Sequence, residues 1–440
     1  MFRKLLIYLI PVIMLVPSAP SCAAEFQIIG FDSVSMGGAG TAMSRGSFAT
    51  YYNPALLAEH KNGLEVSLSA GLGLREVTLA ESLDNLSDIG IEEALGNIEN
   101  YLPTSLPLNG LPADLRNDVI AIQDILFSIP DTNGLELMPS ASLGIQVGNF
   151  GFGFYGVSEG TGYAVVDKDR LDIIVETSIP GYSYVKYDEE NDEFILSDLP
   201  EYEQSSLLYA LDEGKTYIQL TGLAYTSIPV AYARQFNTRW GTLDLGGAFN
   251  VMPGYTFDKK INIDTESGSI KDEFDDAEEY DTSFGVDIGL FYEPQILQKL
   301  SLGLVAKNIN TPKFDTCSGE ELEVKPQVRG GVAYDLFGDK VTLALDADLT
   351  KNETFIPDYF SQFVGGGIRY QPFDWFSVRG GAMQNIQESQ EGTIFTTGFG
   401  FGFKQFQLDL AGQCSTKQGE YDGQSFPRYS RIEIAFVSKW

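Results

Sequence analysis

From about residue 64 to the C-terminus, this chain consists of alternating apolar segments, and the connections between them alternate between short and long. A soluble β-sandwich has no reason to sort its loops in this way, whereas a transmembrane barrel has short periplasmic turns and long outer loops. The pattern therefore predicts an all-β fold, a transmembrane antiparallel β-barrel. The short joints lie at residues 148–150, 236–238, 337–339, 371–374 and 404–405.

About 14 segments combine β-branched, aromatic and glycine residues with a period of two. An even number places both chain ends on the periplasmic side, so every short joint falls there and every long loop falls outside. The predicted strands are residues 64–75, 138–148, 150–167, 216–236, 240–257, 281–292, 299–309, 326–336, 339–350, 360–371, 375–386, 393–404, 406–415 and 429–440.

The better strands have two distinct faces. In residues 393–404, Phe395 and Phe399 alternate with Thr396 and Gly398. One face suits lipid, and the other carries groups that hydrocarbon does not tolerate, so it is expected to face the lumen. A soluble sandwich also alternates apolar and polar residues.

The end of the chain favours the membrane barrel over the sandwich. Ile432, Ile434 and Phe436 share one face of a strand that finishes at Trp440. This strand resembles the C-terminal signal by which outer-membrane barrels are recognised, and it implies the barrel-insertion machinery as a partner. Aromatic residues at strand ends also suit the interfacial girdle.

Residues 1–24 have the pattern of a secretory signal peptide. Arg3 and Lys4 precede an apolar run that is too short to span a bilayer, and small residues follow, so cleavage is expected near Ala24. Cys22 follows Pro20 and Ser21, which make a poor lipidation site. The rest of the chain has no run of 18 apolar residues, so no transmembrane helix is expected.

The formal net charge of -32 argues against nucleic acid as a partner, because nucleic acid requires basic patches. The acidic residues are concentrated in stretches such as 188–193 and 272–279. Blocks of like charge are typical of solvated loops, and a role in bridging divalent cations or lipopolysaccharide is the alternative. The lipid bilayer and lipopolysaccharide are therefore the expected surroundings.

No cofactor, metal site or enzymatic activity is predicted. His60, the one histidine, lies in a polar joint before the first strand, where a catalytic serine–histidine pair does not fit. No glycine-rich phosphate loop precedes a helix, and Cys317 and Cys414 lack zinc-ligand spacing. Both cysteines are expected near the outer rim, where pairing and free thiols are both open.

The first outer loop, residues 76–137, is predicted to contain two short helices, over residues 85–101 and 113–127. In the second, an apolar stripe recurs at helical spacing, so this face needs burial. The stripe is compatible with a lid over the mouth of the barrel and with a pair of helices packed on the rim. The pair packed on the rim is favoured slightly. The stripe consists of Leu115, Val119, Ile122 and Leu126.

Two segments after the signal peptide carry a family resemblance. Residues 31–42 read FDSVSMGGAGTA and residues 47–58 read SFATYYNPALLA. They resemble the N-terminal hatch of the FadL-type outer-membrane transporters for long-chain fatty acids and aromatic hydrocarbons. The resemblance implies a plug over residues 25–63 inside a 14-stranded barrel over residues 64–440, in the outer membrane of a Gram-negative bacterium.

The later part of the chain resembles the TraF-like subgroup, which is named after a plasmid transfer operon. The similarity lies in residues 307–314, 325–334 and 345–352. The subgroup takes its name from conjugation, and the name alone does not indicate that this chain acts in conjugation.

The hatch can also be understood from its residues, as a compact plug or as a periplasmic tail. Its glycines permit close packing or positive φ, and Pro54 biases Asn53 towards an extended backbone. The candidate gating residues are Gly37, Gly38, Gly40, Asn53, Pro54 and Ala55.

A network of charges is expected on the lumen face of the later strands. A turn around Phe337 and Gly338 would place Arg329 roughly opposite Asp346. The network either holds the plug or presents arginines to an anionic headgroup, and both remain open. Its members are Arg329, Asp346, Asp348, Arg369, Arg379, Asp409 and Arg431.

The third strand contains Gly156, Gly160 and Gly162. Clustered glycines within a strand indicate a bulge or kink. In FadL-type barrels a kink at this strand opens the wall sideways, so the resemblance implies a candidate lateral opening. A local bulge without a gap is equally compatible.

These features predict a passive channel for small hydrophobic molecules such as long-chain fatty acids or hydrocarbons. The alternative is a structural barrel associated with secretion or conjugation, which transports nothing and binds a partner through its outer loops.

Overall fold

The computed structural model describes residues 25–59, 63–101, 110–261, 278–338, 340–403 and 405–440. The predicted signal peptide, Cys22, His60 and the acidic stretch 272–277 lie outside these residues. Fourteen antiparallel strands pair each with the next, and the first pairs with the last to close a barrel. The predicted 14-stranded barrel is therefore confirmed. The strands are β1 (Leu64–Val77), β2 (Gly134–Val147), β3 (Phe150–Val165), β4 (Tyr217–Thr238), β5 (Gly241–Ile261), β6 (Glu278–Pro294), β7 (Leu300–Lys307), β8 (Gln327–Leu336), β9 (Val341–Asp348), β10 (Phe363–Phe373), β11 (Phe376–Asn385), β12 (Thr393–Phe403), β13 (Phe406–Ser415) and β14 (Tyr429–Lys439).

The closing seam lies between β1 and β14. Leu68 is opposite Phe436 in this seam. At its end the backbone N–H of Leu64 donates to the carbonyl oxygen of Trp440 (3.2 Å), and the N–H of Trp440 donates back to Leu64 (2.9 Å). The C-terminal residue is thus part of the ladder that closes the barrel.

Within the described residues, the short joints lie on one rim. Between β2 and β3 the chain turns through Gly148 with φ 55°, and between β8 and β9 it turns through Phe337 and Gly338, both at positive φ. The long connections lie on the opposite rim, as the alternation of loop lengths predicts.

The two faces of the wall differ in composition as expected. On β12, Phe395, Phe399 and Phe401 are half exposed or more, whereas Thr396 is buried on the inner face. The side chain of Ser35 leaves no room for a Cβ atom at Gly398. Aromatic side chains therefore cover the outside, and small or polar residues face the chain inside the lumen.

The described part of the first outer loop has three helices, Ala80–Ile89, Ile91–Glu99 and Ala113–Ser128, so the prediction of one helix over residues 85–101 was wrong, whereas the helix predicted over residues 113–127 is present. Gly90, with φ 72°, ends the first helix and divides the segment predicted as one helix over residues 85–101. A left-handed residue at this position stops the helical hydrogen bonding, and glycine takes it without steric cost.

The two outer loops that follow β1 and β3 share one hydrophobic core, which we call the outer subdomain. The buried stripe Leu115, Val119, Ile122 and Leu126 packs in one cluster with Val185 and other residues of the second loop. The second loop contributes strands Ile174–Glu176, Tyr184–Asp188 and Glu193–Ser197 and helices Leu199–Ser205 and Leu207–Asp212. This burial is the packing that the apolar stripe requires.

Cys317 and Cys414 are both free and exposed, so the two cysteines do not pair. Within the described ranges, none of the helices is long and apolar enough to cross a membrane.

Substitution of Phe399 by lysine tests the outward face. Phe399 lies near the middle of β12 and is 50% exposed, and Phe403 ends the same strand on the same face. A lysine at the bilayer midplane costs roughly 2–4 kcal/mol, and one near the interface costs about 0–1 kcal/mol. We therefore expect Phe399→Lys to lower the free energy of unfolding in lipid vesicles by about 2 kcal/mol more than Phe403→Lys. Equal costs would contradict a lipid-facing β12.

Candidate functional site

Residues 25–59 lie inside the barrel and are nearly all buried. They form the short helices Phe31–Ser35 and Ala49–Tyr52 and the 3-10 turns Gly46–Phe48 and Pro54–Glu59. All six predicted gating residues are buried in this segment, which we call the hatch.

The turn at Gly37 lies directly against the backbone of β10 and β11. Gly37 has φ 65°, and a Cβ atom there would overlap the carbonyl oxygens of Gly366 and Ala382. Its N–H donates to the hydroxyl of Thr396 (2.9 Å), and that hydroxyl donates to the carbonyl oxygen of Ser35 (3.0 Å). The glycine is therefore needed for both backbone conformation and close approach.

Asp346 on β9 fixes the next part of the hatch. Its Oδ2 atom accepts the backbone N–H groups of Gly40 (2.9 Å) and Thr41 (2.8 Å). Gly38 also has positive φ, and its carbonyl oxygen accepts a hydrogen bond from Arg329 (2.9 Å). The wall thus supplies the partners that this irregular backbone lacks.

The Asn53-Pro54-Ala55 segment is held against β5 and β6. The Asn53 amide donates to the carbonyl oxygens of Thr41 and Leu290, both at 3.0 Å, and its oxygen accepts the Ala55 N–H (3.1 Å). A Cβ atom at Gly246 or Gly289 in the wall would overlap this segment.

Arg329 is directly opposite Asp348, not Asp346 as the sequence predicted; Asp346 is opposite Gly331. The turn between β8 and β9 is two residues longer than assumed, which moves the partner of Arg329 two residues along β9. Arg329 nevertheless contacts both carboxylates, with Nε 3.4 Å from Asp346 and Nη1 3.5 Å from Asp348. This buried cluster contacts Gly38 through the hydrogen bond from Arg329.

A second cluster connects the hatch to β11 and β13. Arg379 lies 2.5 Å from Asp32 of the hatch and 2.9 Å from Asp409. Arg369 lies 3.8 Å from Asp32 and donates to the hydroxyl of Thr342 (2.9 Å). The predicted network did not include Asp32. Its place as an acidic residue within the hatch motif was the sequence signal that could have identified it.

Arg431 does not join either cluster. Its Nη2 atom lies 2.6 Å from the hydroxyl of Ser140 on β2, and no ion pair among the described residues includes it. Two residues along β14, Glu433 accepts the backbone N–H of Gly30 in the hatch (2.6 Å). Within the described ranges no group of three or more side chains suits a metal ion.

Sequence reasoning missed a third cluster, around Arg75. This fully buried guanidinium lies 3.0 Å from Glu25 of the hatch, 2.5 Å from Glu136 and 2.6 Å from Glu391. Arg75 lies on the same inward face of β1 as Ser67 and Ser69. This period of two was the sequence signal that could have placed Arg75 in the lumen.

The pairing of the wall is interrupted at three consecutive seams around β3. Two residue pairs are missing between β2 and β3, between β3 and β4, and between β4 and β5, and the register is the same on both sides of each gap. Each gap contains a proline, which has no N–H to donate. The prolines are Pro139, Pro229 and Pro253.

A depression of ≈ 460 Å³ lies beside two of these gaps, those that contain Pro139 and Pro253, and we call it the wall depression. Its lining is largely apolar, and it includes residues from both faces of the wall. Val157, on the inward face, packs in the same buried cluster as Phe26 and Ile28 of the hatch. The lining residues are Pro139, Ser140, Ala141, Gly156, Val157, Ser158, Ala224, Tyr225, Thr226, Pro253, Tyr255 and Tyr280.

The three glycines of β3 occupy different surroundings. Gly156 lines the wall depression. Gly160 lies beside Phe257 and Gly162 beside Leu220, outside the depression. No register shift occurs in β3, so the break in pairing coincides with the prolines of the neighbouring strands and not with a glycine bulge.

The fold and its filled lumen define a transmembrane β-barrel with an internal hatch. A family model described as "F plasmid transfer operon, TraF, protein" matches residues 50–348. The chain belongs to this family, which confirms the TraF-like resemblance seen in the sequence. No curated protein matches the chain.

Several solved structures resemble this barrel at low identity. The Ralstonia pickettii toluene transporter TbuX is 13% identical, with 94% of this chain and 100% of that chain covered and a TM-score of 0.48. The Pseudomonas putida toluene transporter TodX is 12% identical, with 96% and 99% covered and a TM-score of 0.45. A Pseudomonas aeruginosa FadL homologue is 10% identical, with 96% and 98% covered and a TM-score of 0.44.

Substitution of Gly37 by alanine tests the docking of the hatch. Gly37 and Gly338 both have positive φ, but only Gly37 lacks space for a Cβ atom. A left-handed alanine costs roughly 1–2 kcal/mol at either position, and overlap with the wall adds to this at Gly37. We expect Gly37→Ala to accelerate amide hydrogen exchange across residues 31–44, whereas Gly338→Ala leaves that exchange unchanged. The same exchange in both variants would contradict close docking at Gly37.

Proposed function

We propose that this chain is a plugged outer-membrane channel through which small hydrophobic molecules diffuse passively, leaving sideways into the membrane through the wall depression. The observation that carries the proposal is the apolar depression of ≈ 460 Å³ beside the interrupted pairing at Pro139 and Pro253. The proposal includes no catalytic step.

The size and lining of the wall depression suit an apolar molecule. Binding pockets for small molecules commonly have volumes of roughly 300–1,000 Å³ and apolar walls. Intact β-ladders resist opening in a membrane, because unpaired backbone groups have no water to bind there. Next to the depression the strand pairing at Pro139 and Pro253 is already interrupted, so a small displacement would widen the wall there at low cost.

The floor of the wall depression is the place where the hatch would act as a gate. Val157 and Tyr225 pack against the cluster that contains Phe26 and Ile28. Movement of these hatch residues would remove the support behind the floor and connect the lumen with the depression. Residues 37–55 would meanwhile remain fixed to the wall through the contacts of Gly37, Gly40 and Asn53.

The lumen arginines divide into two groups under this proposal. Arg329 and Arg379 each contact two carboxylates, which favours a structural role in holding the hatch. Arg431 contacts a hydroxyl near the wall depression and is the candidate for meeting the carboxylate of a fatty acid.

The proposal places the chain in the outer membrane of a Gram-negative bacterium, in contact with lipopolysaccharide. The barrel-insertion machinery would recognise the strand that ends at Trp440.

Filling the wall depression should slow transport. Gly156 lies in the depression, with Cβ space bounded by Ala141 and Thr226 at 3.4 Å or more, whereas Gly412 lies on β13 with comparable space and away from the depression. We expect Gly156→Leu to reduce the initial rate of fatty-acid or alkane uptake into proteoliposomes roughly tenfold, which corresponds to a barrier about 1.4 kcal/mol higher. Gly412→Leu should transport at the wild-type rate.

Deletion of residues 25–58 provides a second measurement in the same assay. Removal of the gate should change the rate of uptake. The transport proposal fails if wild type, the deletion and Gly156→Leu all take up substrate at the rate of empty liposomes.

A second candidate function is a secretion- or conjugation-associated barrel that binds a partner outside the cell. The observation that favours it is the outer subdomain, which has its own buried core and an ion pair between Arg116 and Asp192 (2.7 Å) that joins its two loops. A pull-down from surface extracts with and without this subdomain tests it, because recovery of one specific protein only with the intact subdomain would support binding.

A further inference from the structure

The start of the hatch lies in an acidic pocket inside the barrel. Four buried carboxylates meet there, and the guanidinium of Arg75 lies among them. Their side chains come from the hatch, from β2, from β3 and from the loop before β12. They are Glu25, Glu136, Glu159 and Glu391.

Arg75 is fully occupied by three of these carboxylates. Its Nη2 atom contacts both oxygens of Glu25 at 3.0 Å, its Nη1 contacts Glu136 at 2.5 Å, and its Nε contacts Glu391 at 2.6 Å. Each nitrogen of the guanidinium therefore already has a carboxylate partner.

Glu159 is the carboxylate that Arg75 does not reach within ion-pair distance. Its side chain is 2% exposed, and no ion pair among the described residues includes it. Its oxygens instead lie 3.1 and 3.3 Å from the backbone nitrogen of Glu25, and one lies 3.4 Å from the side-chain nitrogen of Gln27. A buried carboxylate without a cation is costly, so this position calls for a positive charge.

Signal cleavage after Ala24 would supply that charge at the required atom. Hydrolysis of the Ala24–Glu25 peptide bond consumes one water, leaves a carboxylate on Ala24 and frees the nitrogen of Glu25 as an amine. The amine takes up a proton from water at neutral pH, since an α-amino group ordinarily titrates at about 7.7–8.0.

We propose that the α-ammonium group of processed Glu25 forms a buried ion pair with Glu159, so that maturation completes the charge network that fastens the hatch to β3. The amide of the precursor has one hydrogen for two carboxylate oxygens, whereas the ammonium has three. After cleavage the charges alternate from Glu159 through the ammonium and carboxylate of Glu25 to Arg75. This inference stands independently of transport.

The ion pair would fix the hatch directly behind the wall depression. Glu159 is adjacent on β3 to Ser158, whose backbone oxygen accepts the Gln27 amide (2.8 Å) and which lines the depression. Processing therefore adds a charged contact beside the Gln27 hydrogen bond at this point of the wall.

The test measures the reactivity of the α-amine in the mature, folded protein. Intact mass should first show that the chain purified from outer membranes begins at Glu25. The folded protein in detergent is then treated with an amine-acetylating reagent, and acetylation of the N-terminal peptide is followed by mass spectrometry against the exposed Lys313. We expect the α-amine of the wild type to react about tenfold more slowly than in Glu159→Gln, equivalent to about 1.4 kcal/mol of protection.

Two further variants separate charge pairing from general loosening of the hatch. Glu433→Gln removes another buried carboxylate that accepts a hatch N–H, that of Gly30, and should leave the α-amine protected. Insertion of one glycine between Ala24 and Glu25 keeps every carboxylate but moves the ammonium by about 3.8 Å, so it should expose the amine even where Glu159→Gln fails to fold.

Three results would overturn the inference. One is a mature chain that begins elsewhere than Glu25. Another is a wild-type amine that reacts as fast as the amine of the unfolded protein. The third is equal exposure of the amine in Glu433→Gln and Glu159→Gln.

Discussion

The structure depends on providing hydrogen-bond partners for an irregular backbone segment that is enclosed in the lumen. The hatch has short helices and turns, so many of its backbone groups find no partner within the segment itself, and buried backbone groups must be paired. The wall provides these partners through inward side chains: Asp346 accepts two N–H groups, Thr396 both accepts and donates, and Gln413 donates to the Val34 carbonyl oxygen. Glycines on the wall leave the space for the backbone to approach.

Charge serves the same purpose at three points around the lumen. The clusters around Arg329, Arg379 and Arg75 each include a group of the hatch: the Gly38 carbonyl, the Asp32 carboxylate and the Glu25 carboxylate. Buried ion pairs contribute little net stability compared with apolar packing, because desolvation offsets their attraction. Their value here is in specifying position, since each arginine meets its partners in only one placement of the hatch.

Much of the fold could be predicted from the sequence because strand alternation and loop length are local properties. Each predicted strand overlaps an observed one, since a lipid-facing residue and a lumen-facing residue must alternate at every position. Register depends on turn geometry, which is why Arg329 is opposite Asp348 instead of Asp346. The third cluster and the wall depression were not predictable in this way. Arg75 meets Glu391 across 316 positions of sequence, and the depression is lined by residues of β2, β3, β4, β5 and β6 that only the strand pairing brings together.

The seam between β1 and β14 makes closure of the barrel depend on β14. A nascent chain that lacks β14 would present two open edges, on β1 and on β13, with rows of unpaired N–H and C=O groups. In hydrocarbon such edges cannot be hydrated, so an incomplete chain has no stable inserted form. The pairing of β14 with β1, which includes the reciprocal hydrogen bonds of Leu64 and Trp440, removes both open edges, so β14 must be in place before the barrel is stable in the bilayer.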